Sequence, residues 1–180
     1  MIFRLAQKLN AKIKGGILGT LPLDENPFAD WSAQLFVADR TQYVILSNTR
    51  SLYSTVMYGK GITNYSDFIE RALSTIREFM EEEGHKSVYE RFIAPASKTI
   101  QFAKALNRSV TGSVNDMVRH ATYWLAQGDF SPFEVGFRLN EIPMSALAAS
   151  GSPYGRPREA FKALGSPDES GGNRNRHGAE

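Results

Sequence analysis

WSAQLFVADRTQYVILSNTRSLYSTVMY, residues 31–58, decides the fold class. It is rich in β-branched, aliphatic and aromatic residues, which suit a pleated and buried surface. Asp39-Arg40-Thr41 and Thr49-Arg50-Ser51 punctuate it, so the pattern predicts three strands over 32–38, 42–48 and 52–58 joined as an antiparallel meander. In the first, Leu35 and Val37 alternate with Gln34 and Phe36. The second carries the unbroken run Tyr43-Val44-Ile45-Leu46, as expected of a central strand covered on both faces. Gly59-Lys60-Gly61 closes the meander.

Two amphipathic helices flank this sheet. Phe68, Ile69, Ala72, Leu73, Ile76, Phe79 and Met80 recur at helical period, which predicts a helix from about Ser66 to Gly84. Asn64 or Ser66 suits its start, and Gly84 suits the left-handed residue after its end. Glu81, Glu82 and Glu83 oppose the dipole of its last turn, which invites a cation or a basic partner. A second stripe, Val114, Met117, Val118, Ala121, Trp124 and Leu125, predicts a helix that ends before Gly128. Ser131-Pro132-Phe133-Glu134 opens a shorter one with N-cap, proline and capping glutamate in place, and Pro143 stops it. Val88 to Ile93 is compatible with a short helix that Pro95 ends.

Short strands are expected at Ile2–Leu5 and Thr99–Phe102, and Leu5, Leu9 and Ile13 share one face of a first helix. The expected fold is therefore α+β: an antiparallel meander sheet with the helices over 66–83 and 113–127 packed on one of its faces, plus short helices. The 17–30 segment, with Pro22 and Pro27, reads as a loop. A single domain over 1–149 is expected. From Ser150 onward the composition turns to Gly, Ser, Pro, Arg and Asn, which predicts a mobile tail over 150–180 outside the fold.

The 180 residues are 42% apolar, enough for one sizeable core. No apolar run approaches the roughly 18 residues of a membrane span, and the first residues lack the pattern of a signal peptide. The expectation is a cytoplasmic protein that does not enter a membrane. The absence of cysteine excludes disulfides, thiolate catalysis and cysteine metal sites. Twenty-one Lys and Arg against 19 Asp and Glu give a net charge of +2, too weak a field to argue for nucleic acid in bulk. The histidines lack metal-ligand spacing, so neither metal nor cofactor is expected.

The densest polar stretch is Asn107-Arg-Ser-Val-Thr-Gly-Ser-Val-Asn-Asp116. Thr111 or Ser113 is the expected N-cap of the following helix, with Ser113-x-x-Asp116 at capping-box spacing. That places Arg108, Ser109, Thr111, Gly112, Ser113 and Asn115 around a helix N-terminus, where free amides and the dipole favour an anion. An arginine there can grip a phosphate or carboxylate with paired donors. Asp116 and His120 stand four apart on one helix face and are the candidate acid–base pair. Neither the P-loop nor the dinucleotide glycine pattern is present. Hydroxyls that only cap the helix, and an Arg108 that only pairs with an acid, account for the same residues.

The chain resembles an uncharacterised family of small bacterial proteins classed as a domain of unknown function. The resemblance rests on Phe3-Arg4 with Gln7-Lys8-Leu9, Trp31-x-Ala33-x-Leu35-Phe36 with Asp39-Arg40, the Asn107–Asp116 motif, and Leu139-Asn140-x-Ile142-Pro143-Met144, over residues 1–147. It implies a shared fold unit and no reaction. Three function classes follow. The first is a module that binds a phosphate-bearing ligand or nucleic-acid backbone at 108–113. The second is an interaction or accessory component of a two-protein module. The third is a hydrolase using Asp116 and His120.

Overall fold

The computed structural model describes residues 1–165. Five strands, β1 (Ile2–Leu5), β2 (Asp30–Ala38), β3 (Thr41–Asn48), β4 (Ser54–Tyr58) and β5 (Gln101–Ala103), form one sheet in the order β4-β3-β2-β1-β5. The β2–β4 meander is antiparallel, with Trp31 opposite Asn48 and Val44 opposite Met57. Asp39 and Arg40, both at positive φ (42° and 62°), make the two-residue turn between β2 and β3. β1 runs parallel to both neighbours, placing Phe3 beside Trp31 on one side and Phe102 on the other. The sheet is thus mixed, which corrects the purely antiparallel expectation. A parallel pair needs a long crossover, and residues 6–29, with helix α1 (Gln7–Ile13), supply it.

Both faces of the sheet are buried. Period-2 alternation sends Trp31, Ala33, Val44, Leu46 and Met57 to one core, shared with Leu9 and Ile13 of α1 and with Phe68, Ala72, Ile76 and Phe79 of α2 (Tyr65–Glu82). Phe36, Ala38, Tyr43, Ile45 and Val56 face the other way, into a second core. To α2 succeed α3 (Lys86–Val88), a π-helical turn at Tyr89–Ile93, α4 (Ala94–Ala96), β5 and then α5 (Arg108–Ala126). Val114, Met117, Ala121 and Leu125 of α5 fill that second core. The two main helices therefore lie on opposite faces, where the sequence pattern had suggested one. The unbroken Tyr43–Leu46 run is what such double coverage requires.

Helix α6 (Pro132–Leu139) closes the β4 edge, and its capping box between Ser131 and Glu134 is present. Gly136 lets the backbones approach: a Cβ there would lie 2.7 Å from the Phe79 ring and 3.4 Å from Thr55 Cα. The fully buried Asn140 amide then accepts from Ser54 N at 2.7 Å and donates to Ser54 O at 2.9 Å, so one side chain satisfies both backbone groups of Ser54 on the edge strand.

Residues 150–165 are not a tail. Met144 bridges to Gly155, and α7 (Pro157–Ala163) returns to the first core. Phe161, 1% exposed, stacks on Tyr53 with centroids 4.1 Å apart. Arg158 donates to Glu83 at 2.6 Å and pairs with Glu141, while Tyr53 Oη donates to the other Glu83 oxygen at 2.9 Å. Of the three glutamates at the acidic end of α2, Glu83 thus meets this chain's own Arg158, and Glu81 pairs with Arg77. Only the 166–180 part of the expected tail lies outside the described residues.

Candidate functional site

Asn107, not Thr111 or Ser113, caps α5: its side chain accepts from Val110 N at 2.9 Å. Arg108, Ser109, Thr111, Gly112 and Ser113 accordingly occupy the first turns of the helix, not a loop before it. The Thr111 hydroxyl donates to Asn107 O and the Ser113 hydroxyl to Ser109 O, both at 3.0 Å, so each is spent on the preceding turn. Asn115 accepts from Gln34 at 3.0 Å. Arg108 and Ser109 stay exposed, and the crevice beside Ala105, Val110 and Thr111 holds only about 40 Å3, room for a water molecule or so.

Asp116 pairs with Arg119 at 2.7 Å in place of the expected capping box and acid–base pair. His120 packs beside Trp124, with centroids 5.7 Å apart. Ser113, Asp116, Arg119 and His120 do share one open cleft with Ser145 and Tyr154. In this cleft the Ser113 hydroxyl donates to the Ser109 carbonyl, and the Asp116 carboxylate accepts from Arg119.

A different hollow has the properties of a ligand site. It is a half-open hollow of about 310 Å3 where the end of α2, the π-helical turn and α7 meet. Phe28, Val88, Phe92 and Phe161 give it apolar walls, and His85, Ser87, Arg91 and Lys162 bring polar groups to it. Apolar walls with a few convergent polar groups are the usual make-up of a small-molecule pocket, and this volume sits at the small end of the roughly 300–1,000 Å3 range.

Local structure explains how these residues meet. Gly84, at φ 79°, ends α2, turns the chain and delivers His85. The π-helical turn, closed by Ala94 N–H onto Tyr89 O, inserts an extra residue that re-aims Arg91 and Phe92; such turns recur at functional sites. Asn26 holds the turn by donating to Phe92 O at 2.7 Å. The Phe28 ring stacks on Phe92 (5.0 Å, 29°) and meets Phe161 edge-on (5.2 Å, 80°). Phe161 is carried in by α7 with Lys162 beside it.

The electrostatics of the pocket are one-sided. Among the described residues no carboxylate lines it, and neither Arg91 nor Lys162 makes an ion pair. His85 Nε2 is buried without a hydrogen-bond partner. Burial holds the His85 pKa below its ordinary value; Glu83 pulls the other way, and Lys162 and Arg158 add to the depression. The pocket thus brings an imidazole of lowered pKa together with two cations that are unpaired among the described residues.

Sequence reasoning missed this site. The segment after His85 is irregular in period because of the π-helical turn, and Lys162 falls in the stretch set aside as tail. The one local signal was a cation adjacent to an aromatic in both places, Arg91-Phe92 and Phe161-Lys162.

The family model described as Domain of unknown function (DUF6933) matches residues 2–160, a span that includes every lining residue of the pocket except Phe161, Lys162 and Gly165. No curated protein and no solved structure matches the chain.

Proposed function

We propose, from the premise that the chain belongs to the DUF6933 family, that it is a binding module for a small anionic ligand held between the π-helical turn and α7. The observation that carries this reading is a pocket with Arg91 and Lys162 at its rim and no compensating acid among the described residues. Arg91 and Lys162 are exposed and unpaired among the described residues, so an anion between them can form charge-assisted hydrogen bonds with both. Binding is the role proposed, because what the pocket gathers is two cations and an imidazole beside apolar side chains.

The start of α5 supports a second reading, a phosphate or nucleic-acid backbone held at 108–113. What favours it is the exposed Arg108 beside amides that precede the first intrahelical bond. One experiment separates the two. Thermal stability of the full chain is followed against phosphate, sulfate, simple carboxylates and short RNA, with Arg91→Ala, Lys162→Ala and Arg108→Ala beside the wild type. Stabilisation by an anion that is lost in the first two variants and kept in the third is the expected result. Loss only in Arg108→Ala moves the site to α5. If no anion or RNA shifts the wild type, the binding reading falls and the accessory-component reading takes its place.

A further inference from the structure

The chain carries a counter-charge for its own pocket. Gly165, the last described residue, lines the hollow together with Arg91 and Lys162. A Cβ on Gly165 would stand 3.7 Å from the Phe28 ring, so the chain leaves α7 beside the hollow. Ser166-Pro167-Asp168-Glu169 follows in sequence. Three residues of chain reach at most roughly 10 Å. That is comparable with the breadth of a hollow of about 310 Å3, so two carboxylates are tethered within range of both cations.

The cations are open to them. Arg91 and Lys162 are exposed, and the contact asks nothing of the buried rings or of the His85 ring nitrogens. Arg91 lies 5.2 Å over the Phe92 ring, and a guanidinium stacked in this way still presents its N–H groups in its own plane. The other basic side chains of α3 and α7 are taken: Lys86 pairs with Glu90, and Arg158 with Glu83 and Glu141. The neighbouring grooves bring their own counter-charges, Asp116 with Arg119 in one and Glu141 with Arg158 in the other.

We propose that the pocket is occupied by its own chain: the Asp168 and Glu169 carboxylates pair with Arg91 and Lys162, and an outside anion binds by displacing them. This rests on the anion-binding reading of the same pocket. Each exposed pair is weak and screened by salt. Tethering makes the contact effective, because a short link holds the carboxylates at an effective concentration in the millimolar range. A singly charged anion below that concentration leaves the contact in place, whereas a doubly charged one such as sulfate competes with it.

The test uses the full chain at low salt, as wild type, Asp168→Asn with Glu169→Gln, Arg91→Ala, Lys162→Ala, and Arg108→Ala as a control on α5. Carboxyl titration followed by NMR should place the Asp168 or Glu169 midpoint lower in the wild type than in Arg91→Ala and Lys162→Ala by about 0.3 pH or more, and Arg108→Ala should leave it unchanged. Sulfate, titrated calorimetrically, should bind the doubly neutralised variant about threefold or more tighter than the wild type, a gap that closes as sodium chloride rises. Midpoints unmoved in both Arg91→Ala and Lys162→Ala would overturn the self-occupancy. Equal sulfate affinity in wild type and neutralised variant, lost in Arg91→Ala, would overturn it too and leave the anion-binding function standing. Sulfate binding by neither of the two would instead overturn the anion-binding reading itself.

Discussion

His85 is poised by two opposed effects. Burial disfavours its charged form, and Glu83 only partly offsets this, so its folded-state pKa lies below the ordinary value near 6.5. The unfolded chain then binds more protons than the folded one between the two values. This contribution to stability is present above about pH 6.5 and is lost as pH falls through the lowered value. Denaturant unfolding at a series of pH values should show that decline in the wild type and a flatter profile in His85→Gln. Asn140 tests a different residue-scale idea, that one amide seals a strand edge. Asn140→Ala strands Ser54 N–H and C=O in a buried setting and should cost roughly 2–4 kcal/mol, since an orphaned buried polar group costs about 1–3 kcal/mol. A loss under 0.5 kcal/mol would mean that water or backbone movement replaces the amide. Asn140 stood in the sequence as a polar residue near a helix end, and nothing local distinguished it from Glu141, which is exposed.

Elements were legible where the pattern was long. The Tyr65–Glu82 helix and the capping box of α6 follow from stripe and cap chemistry, because those contacts span a few residues, and of the two caps the sequence offered for the former, Asn64 and Ser66, the first is used. The start of α5 was harder. Asn107, Ser109, Thr111 and Ser113 are all good caps, and the helical stripe is compatible with each. Which one stops the helix depends on where β5 and the 104–106 connection release the chain, and that lies outside the local sequence. Asn107→Ala should therefore lower stability by about 1 kcal/mol, whereas Thr111→Ala, whose hydroxyl only bonds back to the preceding turn, should change it by less than about 0.5 kcal/mol. Chemical denaturation of the two variants decides this, and a reversed order would restore the later helix start. The π-helical turn was illegible for a related reason. It breaks the 3.6-residue period, and its Arg91 and Phe92 became a site only when Phe28 and α7 packed against them.

The whole molecule is a mixed sheet buried on both faces, with its last described helix inserted into the first core. Among the described residues no helix is long and apolar enough to cross a membrane. The insertion of α7 makes a sharp prediction. Phe161 is almost fully buried against Tyr53 and Phe28, so Phe161→Ala should cost about 3–5 kcal/mol, measured by equilibrium unfolding. A cost below about 1 kcal/mol would show α7 to be a loosely held appendage. By itself, the sequence determined the α+β class, the meander, the two long helices and the exclusion of thiol chemistry, because residue type and short-range periodicity decide these. Only tertiary structure decided the parallel placement of β1, the opposite faces taken by α2 and α5, the docking of α7 and the gathering of His85, Arg91 and Lys162. Each of these depends on which surfaces bury each other across tens of residues of chain, and in a polar stretch Phe161 and Pro157, with the ion pairs of Arg158, anchor a helix that composition assigns to solvent.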